Sequence, residues 1–160
     1  MVGVERMDPE RLLDRFEIQD LTVAYADAVD GKDWARFESL FTPDGFIDYR
    51  EAGGTCGTPA EVAAWMPGAM SAFKWSLHSM STWTVRFESA ASARGTLHVL
   101  ARHGVDFEGV EELMDVGAVY EDRYVRTDGG WRIAERIERT KYIVGGKLAA
   151  LVRQMAGAPV

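Results

Sequence analysis

Cysteine and clustered positive charge are both scarce in this sequence. The single cysteine, Cys56, excludes an internal disulfide bond and offers no metal-binding framework, so we interpret it as an ordinary loop thiol. The 18 Lys and Arg residues stand against 25 Asp and Glu, which gives a formal net charge of −7. Because nucleic-acid binding needs clustered basic residues, this balance argues against a nucleic-acid partner.

Long apolar runs are also missing. No stretch approaches the roughly 20 apolar residues that a membrane helix needs, and the N-terminal segment MVGVERMDPERLLDRF has no apolar core of signal-peptide length. We therefore expect a soluble, cytoplasmic protein without a membrane partner. The length of 160 residues suits one domain, residues 1–160, with a core over about 10–140 and a tail over 141–160.

The first part of the chain carries helix signals. Asp8-Pro9-Glu10 combines an N-cap acceptor, a proline and an acid, and apolar residues then repeat at helical spacing to about Val29. Gly31 permits a left-handed turn that ends this helix, and Asp33 can cap a second short helix. The sequence therefore predicts two helices before the first strand.

A turn, a short strand and a third helix follow. The sequence TPDG (42–45) predicts a turn and FIDYRE (46–51) a strand. A third helix is predicted from Thr58, with an interruption near Pro67. At the C-terminal end, GGKLAALVRQM (145–155) suits a short amphipathic helix.

The second half alternates β-branched and aromatic residues, as strands do. Three strands are predicted: Ser81–Glu88, Gly95–Val105 and Val116–Arg126. The mixed charges at 121–123 and 135–139 indicate a solvated strand face. Helices followed by long strands predict an α+β fold. A curved mixed, mostly antiparallel sheet would form a cone-shaped barrel around the N-terminal helices and enclose an apolar pocket.

The three histidines are the first candidates for chemistry near neutral pH. His103 shares the more apolar face of its predicted strand and is expected to point inward, whereas His98 is expected at the surface or a subunit interface. Simple alternation places His78 on the opposite face of its strand from Trp83, and only a bulge near residues 79–81 would turn it inward.

Asp30 lies where the first helix ends, between apolar Val29 and Gly31. It is either a helix cap or a carboxylate at the floor of an apolar pocket, where it could act as a base. An aspartate bound to an imidazole would fix its tautomer, and a phenol from Tyr25 or Tyr49 would stabilise a developing enolate. This chemistry requires that the groups converge, and on residue type alone they are equally compatible with structural roles.

The segment VDGKDWARFESLFTPDGFIDYRE (29–51) resembles the corresponding region of the scytalone dehydratases, a SnoaL-like group of the nuclear transport factor 2-like superfamily. The resemblance continues through SLHSMSTW, ARHG and DGGWRIAE. It implies that Asp30 orients a catalytic histidine, His78. It also implies that Tyr49 holds a water against the substrate carbonyl and that His103 is a second pocket histidine.

Two departures from that family affect the expected substrate. Val29 stands where scytalone dehydratases have a second water-holding tyrosine, and Ala118 and Tyr120 stand where they have small polar substrate contacts. Tyr25 is a candidate for the missing phenol, an arrangement similar to the bile-acid 7α-dehydratases. The resemblance therefore implies a bulky apolar carbonyl substrate other than scytalone.

We hypothesise a cofactor-independent lyase without a metal: a dehydratase that eliminates water from a bulky cyclic hydroxy-carbonyl compound by Asp–His acid–base catalysis. Further aromatic and sulfur-containing side chains are expected to shape its pocket: Trp34, Trp65, Trp75, Met66, Met70 and Met80. The alternatives are an enzyme like ketosteroid isomerase or polyketide cyclase, and a non-catalytic small-molecule-binding domain. The resemblance also implies a homo-oligomer, with a trimer favoured over a dimer.

Overall fold

One six-stranded sheet with helices against it makes up the structure, a computed structural model that describes residues 8–157. The elements in chain order are α1 (Pro9–Asp30), α2 (Trp34–Ser39), β1 (Phe41–Asp48), β2 (Cys56–Gly57), α3 (Pro59–Ala69), β3 (Phe73–Phe87), β4 (Ser92–Phe107), β5 (Val110–Thr127), β6 (Gly130–Gly145) and α4 (Lys147–Met155). No helix among the described residues combines the length and the apolar composition needed to cross a membrane.

The strand order of the sheet is β2-β1-β6-β5-β4-β3. β1 runs parallel to β6, and all other neighbouring strands are antiparallel. The expected α+β class with a curved mixed sheet is therefore confirmed. Within residues 8–157 the sheet does not close into the expected barrel, because β2 and β3 remain at its two edges.

Helix α1 provides the apolar layer that covers the sheet. The Asp8 side chain accepts a hydrogen bond from the Arg11 backbone N–H at 2.9 Å, a cap worth about 1 kcal/mol. The buried stripe of the helix packs against β3 and β6. The turn after α1 differs from the expectation, since Gly31 keeps right-handed geometry (φ −80°) and Lys32 adopts the left-handed one (φ 55°).

Two local expectations are corrected by the observed elements. The TPDG segment (42–45) is not a separate turn but lies within β1, where the pairing with β6 shifts register between Phe41 and Phe46. Pro67 does not interrupt α3, which continues to Ala69. Because Pro67 lies close to the C-terminal end of the helix, its missing N–H removes a single hydrogen bond.

Bulges in two strands decide which side chains face the interior. The β3–β4 register shifts between Ser81 and Thr84. In β6, Ala134 is inserted between the pairs that Ile133 and Glu135 make with β5. One extra residue reverses the alternation of a strand, so β6 buries Ile133 before the bulge and Arg136 and Glu138 after it.

Segments 121–123 and 135–139 do not form the single solvated face that their mixed charges predict. Asp122 is buried because it shares the inward parity of Tyr120 and Tyr124 in β5. Arg136 and Glu138 are buried because the residues after the β6 bulge alternate in the opposite sense to Ile133. The more exposed charges of these segments, Glu121 and Arg139, pair at 3.1 Å on the other side of the sheet. Charged residues in β5 and β6 therefore lie on both faces.

Candidate active site

A cavity of about 290 Å³ lies between the concave face of the sheet and helices α1, α3 and α4. Its wall is mainly apolar and includes Val29, Trp65, Met66, Met70, Val116 and Val152. The polar side chains that reach it are Tyr25, Tyr49, His78, His103, Tyr120 and Glu138. A few polar groups on an apolar wall are typical of small-molecule sites.

Asp30 and His78 form a close pair at one side of this cavity. Asp30, the last residue of α1, accepts hydrogen bonds from the His78 backbone N–H at 2.9 Å and from its ring Nδ1 at 2.6 Å. Burial by itself would raise the pKa of Asp30, but these two bonds, together with the charge of His78 and the nearby Ser76 hydroxyl, leave the pKa below its usual value. An ionised Asp30 keeps the proton of a neutral His78 on Nδ1 and leaves Nε2 free to accept another.

His78 lines the cavity, whereas Asp30 lies behind it. The carboxylate is therefore not at the floor of the pocket and acts through the imidazole. His78 faces inward together with its β4 partner Ala101, because the bulge between Ser81 and Thr84 reverses the alternation of β3. The bulge that an inward His78 requires is present slightly further along the strand, where Thr82 has a φ of 44°.

His103 approaches His78 edge-on, with 5.8 Å between ring centroids. It lies in β4 with its ring 4.3 Å from that of Phe73. Burial, reinforced by the neighbouring His78, lowers the pKa of His103 to about 4. His103 is therefore a neutral imidazole near pH 7. His98, on the opposite face of the same strand, is exposed as expected.

Three phenols meet at the cavity beside His78, whose ring lies edge-on to that of Tyr25 with 6.4 Å between the centroids. The Tyr25 hydroxyl lies 2.9 Å from that of Tyr49 and 3.4 Å from that of Tyr120. Burial raises the pKa of all three, so they stay protonated and can donate to a ligand oxygen. The Arg136 guanidinium stacks 4.2 Å from the Tyr25 ring centroid and 4.4 Å from that of Tyr120.

The charge of Arg136 is matched outside the cavity. Its Nε and Nη2 donate to the Asp122 carboxylate at 2.8 and 2.7 Å, and both side chains are fully buried. The Tyr124 hydroxyl donates to the same carboxylate at 2.7 Å. The Arg136–Asp122 pair packs behind the phenols and does not line the cavity.

The five residues predicted for catalysis come together: Tyr25, Asp30, Tyr49, His78 and His103. Val29, Trp65, Met66, Met70 and Tyr120, predicted to shape the pocket, line it.

Four others expected at the pocket do not line it. Trp34 packs edge-on against Phe37, and Met80 packs against the core beyond the cavity. Ala118 is buried in β5 but does not line the cavity, and Trp75 lies on the outer face of the sheet, 45 % exposed.

The sequence interpretation missed two parts of the site. Glu138 reaches the cavity from β6, and its pKa is raised to about 8, chiefly by burial. The amphipathic C-terminal helix was predicted and is present as α4, but nothing in its pattern placed Leu148 and Val152 at the pocket. The mixed charges at 135–139 predict a solvated face, and the burial of Glu138 becomes visible only from the strand pairing.

The loop after β1 fits closely against α4 at the cavity mouth. Gly53 has a φ of 78°, and a Cβ atom there would stand 3.0 Å from Val152 Cγ1. Glycine therefore suits both the backbone and the space at this point. Within residues 8–157, no three His, Cys, Asp or Glu side chains gather as a metal site would require.

Comparison with known proteins identifies the family. The model of the SnoaL-like domain matches residues 10–137, which is most of the chain. The chain belongs to the SnoaL-like domain family.

One relative by sequence and two solved structures illustrate this membership. An uncharacterized protein of Mycobacterium tuberculosis (Rv2910c) is 35% identical over 127 residues, which are 78% of this chain and 84% of that protein. The hexachlorocyclohexane dehydrochlorinase LinA-type3 of Novosphingobium barchaimii is 25% identical with a TM-score of 0.76, covering 88% of this chain and 94% of that one. A candidate scytalone dehydratase of Novosphingobium aromaticivorans has a TM-score of 0.76 at 23% identity, covering 86% and 91%; this likeness concerns the fold.

Proposed function

We propose that this SnoaL-like protein is a cofactor-independent lyase that eliminates water from a bulky cyclic hydroxy-carbonyl compound. The observation that carries the proposal is the pair formed by ionised Asp30 and inward-facing His78 at the wall of an apolar cavity. A base of this kind can remove a proton from a carbon atom next to a carbonyl group. The likeness to a dehydrochlorinase, an enzyme that by its name performs an elimination, supports the lyase class.

The elimination assigns one role to each polar group. His78 Nε2 takes the proton from the α-carbon, and the C–H electrons form an enolate whose oxygen accepts a hydrogen bond from Tyr49 or Tyr25. The enolate electrons then form the carbon–carbon double bond as the β-carbon–oxygen bond breaks. The His78 imidazolium gives its proton to the departing hydroxyl, which leaves as water and returns His78 to its neutral form.

The surroundings suit this sequence of steps. Asp30 stabilises the imidazolium formed in the first step and so acts as a positioning residue. His103, neutral because of its lowered pKa, can hydrogen-bond the leaving group without competing for the α-proton. Acid–base catalysis supplies about 10² to 10⁴ in rate, and orientation in the cavity supplies further acceleration.

The experiment measures deuterium uptake at the α-carbon of 1-decalone in D₂O and water loss from 3-hydroxy-1-decalone. We expect both reactions in the wild type and a loss on the order of 10² to 10⁴ in rate for Asp30→Asn and His78→Gln. The matched control is His98→Gln, which changes an exposed histidine on the opposite face of the sheet.

Three outcomes separate the alternatives. Exchange without water loss would favour an isomerase-like or cyclase-like enzyme. Binding of 1-decalone without any exchange would favour a non-catalytic binding domain. Equal exchange in the wild type and both site variants would contradict the assignment of the base.

A further inference from the structure

Glu138 is a carboxyl group in the cavity wall that the elimination does not use. It lies in β6 directly opposite Tyr120 of β5, and its side chain reaches the cavity although the residue is only 7 % exposed. In the strand order it stands three strands away from His78. At a strand spacing of about 4.8 Å, it approaches the cavity from a different strand than the base, next to the phenols that lie between the two groups.

The residues around Glu138 do little to stabilise the ionised form of its carboxyl group. Arg136 on the same strand lowers its pKa, but the guanidinium is held by Asp122. Glu51, from the turn after β1, raises the pKa. The nearby Thr140 lowers it slightly, yet Thr140 Oγ1 has no hydrogen-bond partner within the described residues.

The remaining polar groups near Glu138 are the phenols of Tyr25, Tyr49 and Tyr120, which stay neutral. Burial is the largest influence on Glu138 and raises its pKa to about 8, so the group carries a proton near pH 7. A buried polar group normally has a hydrogen-bond partner, because leaving it without one is costly. A ligand in the cavity would provide that partner.

We propose that the Glu138 carboxylic acid is a further substrate-binding group, which donates a hydrogen bond to an oxygen atom of an uncharged apolar ligand. The oxygen would lie at the phenol end of the cavity, where Tyr49 and Tyr120 can donate to it as well. When the ligand is the carbonyl substrate proposed above, this oxygen is the carbonyl oxygen; only that identification rests on the proposed function.

The same arrangement selects against charged ligands. The cavity wall contains no Lys or Arg side chain among the described residues. Arg136 behind it pairs with Asp122 through Nε and Nη2, and its Nη1, which has no hydrogen-bond partner among the described residues, does not line the cavity. A carboxylate ligand would therefore enter without a cationic partner and beside an acid. An ammonium ligand would be bound only by an ionised Glu138, so the neutral acid favours ketones and alcohols.

The test is equilibrium binding of 1-decalone, measured by calorimetry between pH 6 and pH 9, for the wild type, Glu138→Gln and Glu138→Met. Glutamine keeps a neutral donor of the same size, whereas methionine keeps the volume without a donor. At pH 6 we expect Glu138→Met to bind roughly three- to tenfold more weakly than the wild type, the usual effect of one hydrogen bond. Glu138→Gln should bind almost as well as the wild type.

The pH series and two charged probes make the test specific. Wild-type affinity should fall through about pH 8 toward that of Glu138→Met, since the acid loses its proton, while Glu138→Gln shows no such fall. Decalin-1-carboxylate and 1-aminodecalin should bind more weakly than 1-decalone at pH 6. Circular dichroism verifies folding, and the wild type and Glu138→Gln alone decide the question if Glu138→Met does not fold.

Three results would overturn the proposal. These are equal 1-decalone binding by the wild type and Glu138→Met, affinity that rises with pH in the wild type, and tighter binding of 1-aminodecalin than of 1-decalone. The readout does not depend on turnover. If binding follows the expected pattern but no α-exchange occurs, the proposed elimination is wrong and the role of Glu138 stands. If α-exchange occurs but binding does not follow the pattern, only the role of Glu138 is wrong.

Discussion

Replacing Glu138 by glutamine should stabilise the folded protein increasingly as the pH rises. The side chain is buried in the cavity wall, and its pKa is raised from the usual 4.5 to about 8. Glutamine has the same shape, cannot ionise and keeps a hydrogen-bond donor. The comparison therefore isolates the cost of holding an acid in this position.

The magnitude follows from the two pKa values. Below pH 4.5 the carboxyl group is protonated in both the folded and the unfolded chain, so wild type and variant differ little. Between pH 4.5 and about 8 the unfolded chain releases the proton and the folded chain keeps it, so the free energy of unfolding of the wild type falls by about 1.4 kcal/mol per pH unit. The ceiling is about 5 kcal/mol at pH 8, and the difference is constant above that.

Water at the open cavity mouth will solvate part of the charge, so we expect about 2 to 3 kcal/mol at pH 8.5 and almost none at pH 4.5. Urea unfolding followed by circular dichroism at four pH values gives the free energies directly. Titrations of other groups, including His103, affect both proteins alike and cancel in the difference. Glu38→Gln, at an exposed position of α2, is the matched control and should show no pH-dependent difference.

A Glu138→Gln difference that stays flat between pH 4.5 and 8.5, or that favours the wild type at high pH, would refute the reasoning. The first result would mean that Glu138 ionises as readily in the folded as in the unfolded chain. The second would mean that its carboxylate is stabilised by a partner, such as Arg136.

The other predictions concern the paired arginine, the second histidine and the outer face of the sheet. Arg136→Met should lower the free energy of unfolding by about 3 to 5 kcal/mol in urea titrations, because it leaves buried Asp122 unpaired. Adding Asp122→Asn should restore part of the lost stability, and additive losses from the two substitutions would contradict the pairing. In the wild type, the free energy of unfolding should fall by up to about 3 kcal/mol as the pH drops from 6.5 to 4, since the unfolded chain gains a proton on His103 and the folded chain does not. His103→Leu should remove this fall. An unchanged pH dependence would show that His103 is protonated in the folded protein. We also propose self-association through the outer sheet face, where Leu77 is 56 % and Leu113 53 % exposed; Leu113→Lys should shift sedimentation toward the monomer, and a monomeric wild type would exclude the proposal.

Local signals explain the parts of the fold that could be predicted from the sequence. The Asp8-Pro9-Glu10 start and the helical spacing after it depend on neighbouring residues, and α1 extends from Pro9 to Asp30. The resemblance to the scytalone dehydratases indicated Asp30 and His78 together, and they are 2.6 Å apart in the structure.

Strand faces could not be predicted in the same way, because a bulge changes parity without a marked sequence signature. His78 required the shift between Ser81 and Thr84, and Glu138 required the additional residue Ala134. The pocket wall presented a further difficulty. Trp34 and Val152 have the same apolar character, but only the packing of helices on the sheet decides that Val152 reaches the cavity and Trp34 does not.

Helix α4 contributes Leu148, Val152 and Met155 to the cavity but none of the groups that move protons. The shape of the pocket and its reactivity are therefore encoded in different segments of the chain. Nine consecutive residues, Lys147–Met155, could be exchanged to admit a larger or differently shaped ligand while the pair of Asp30 and His78 stays intact. Such a division would let one acid–base apparatus serve many substrates, and it makes this helix the natural segment to randomise in a search for new specificities.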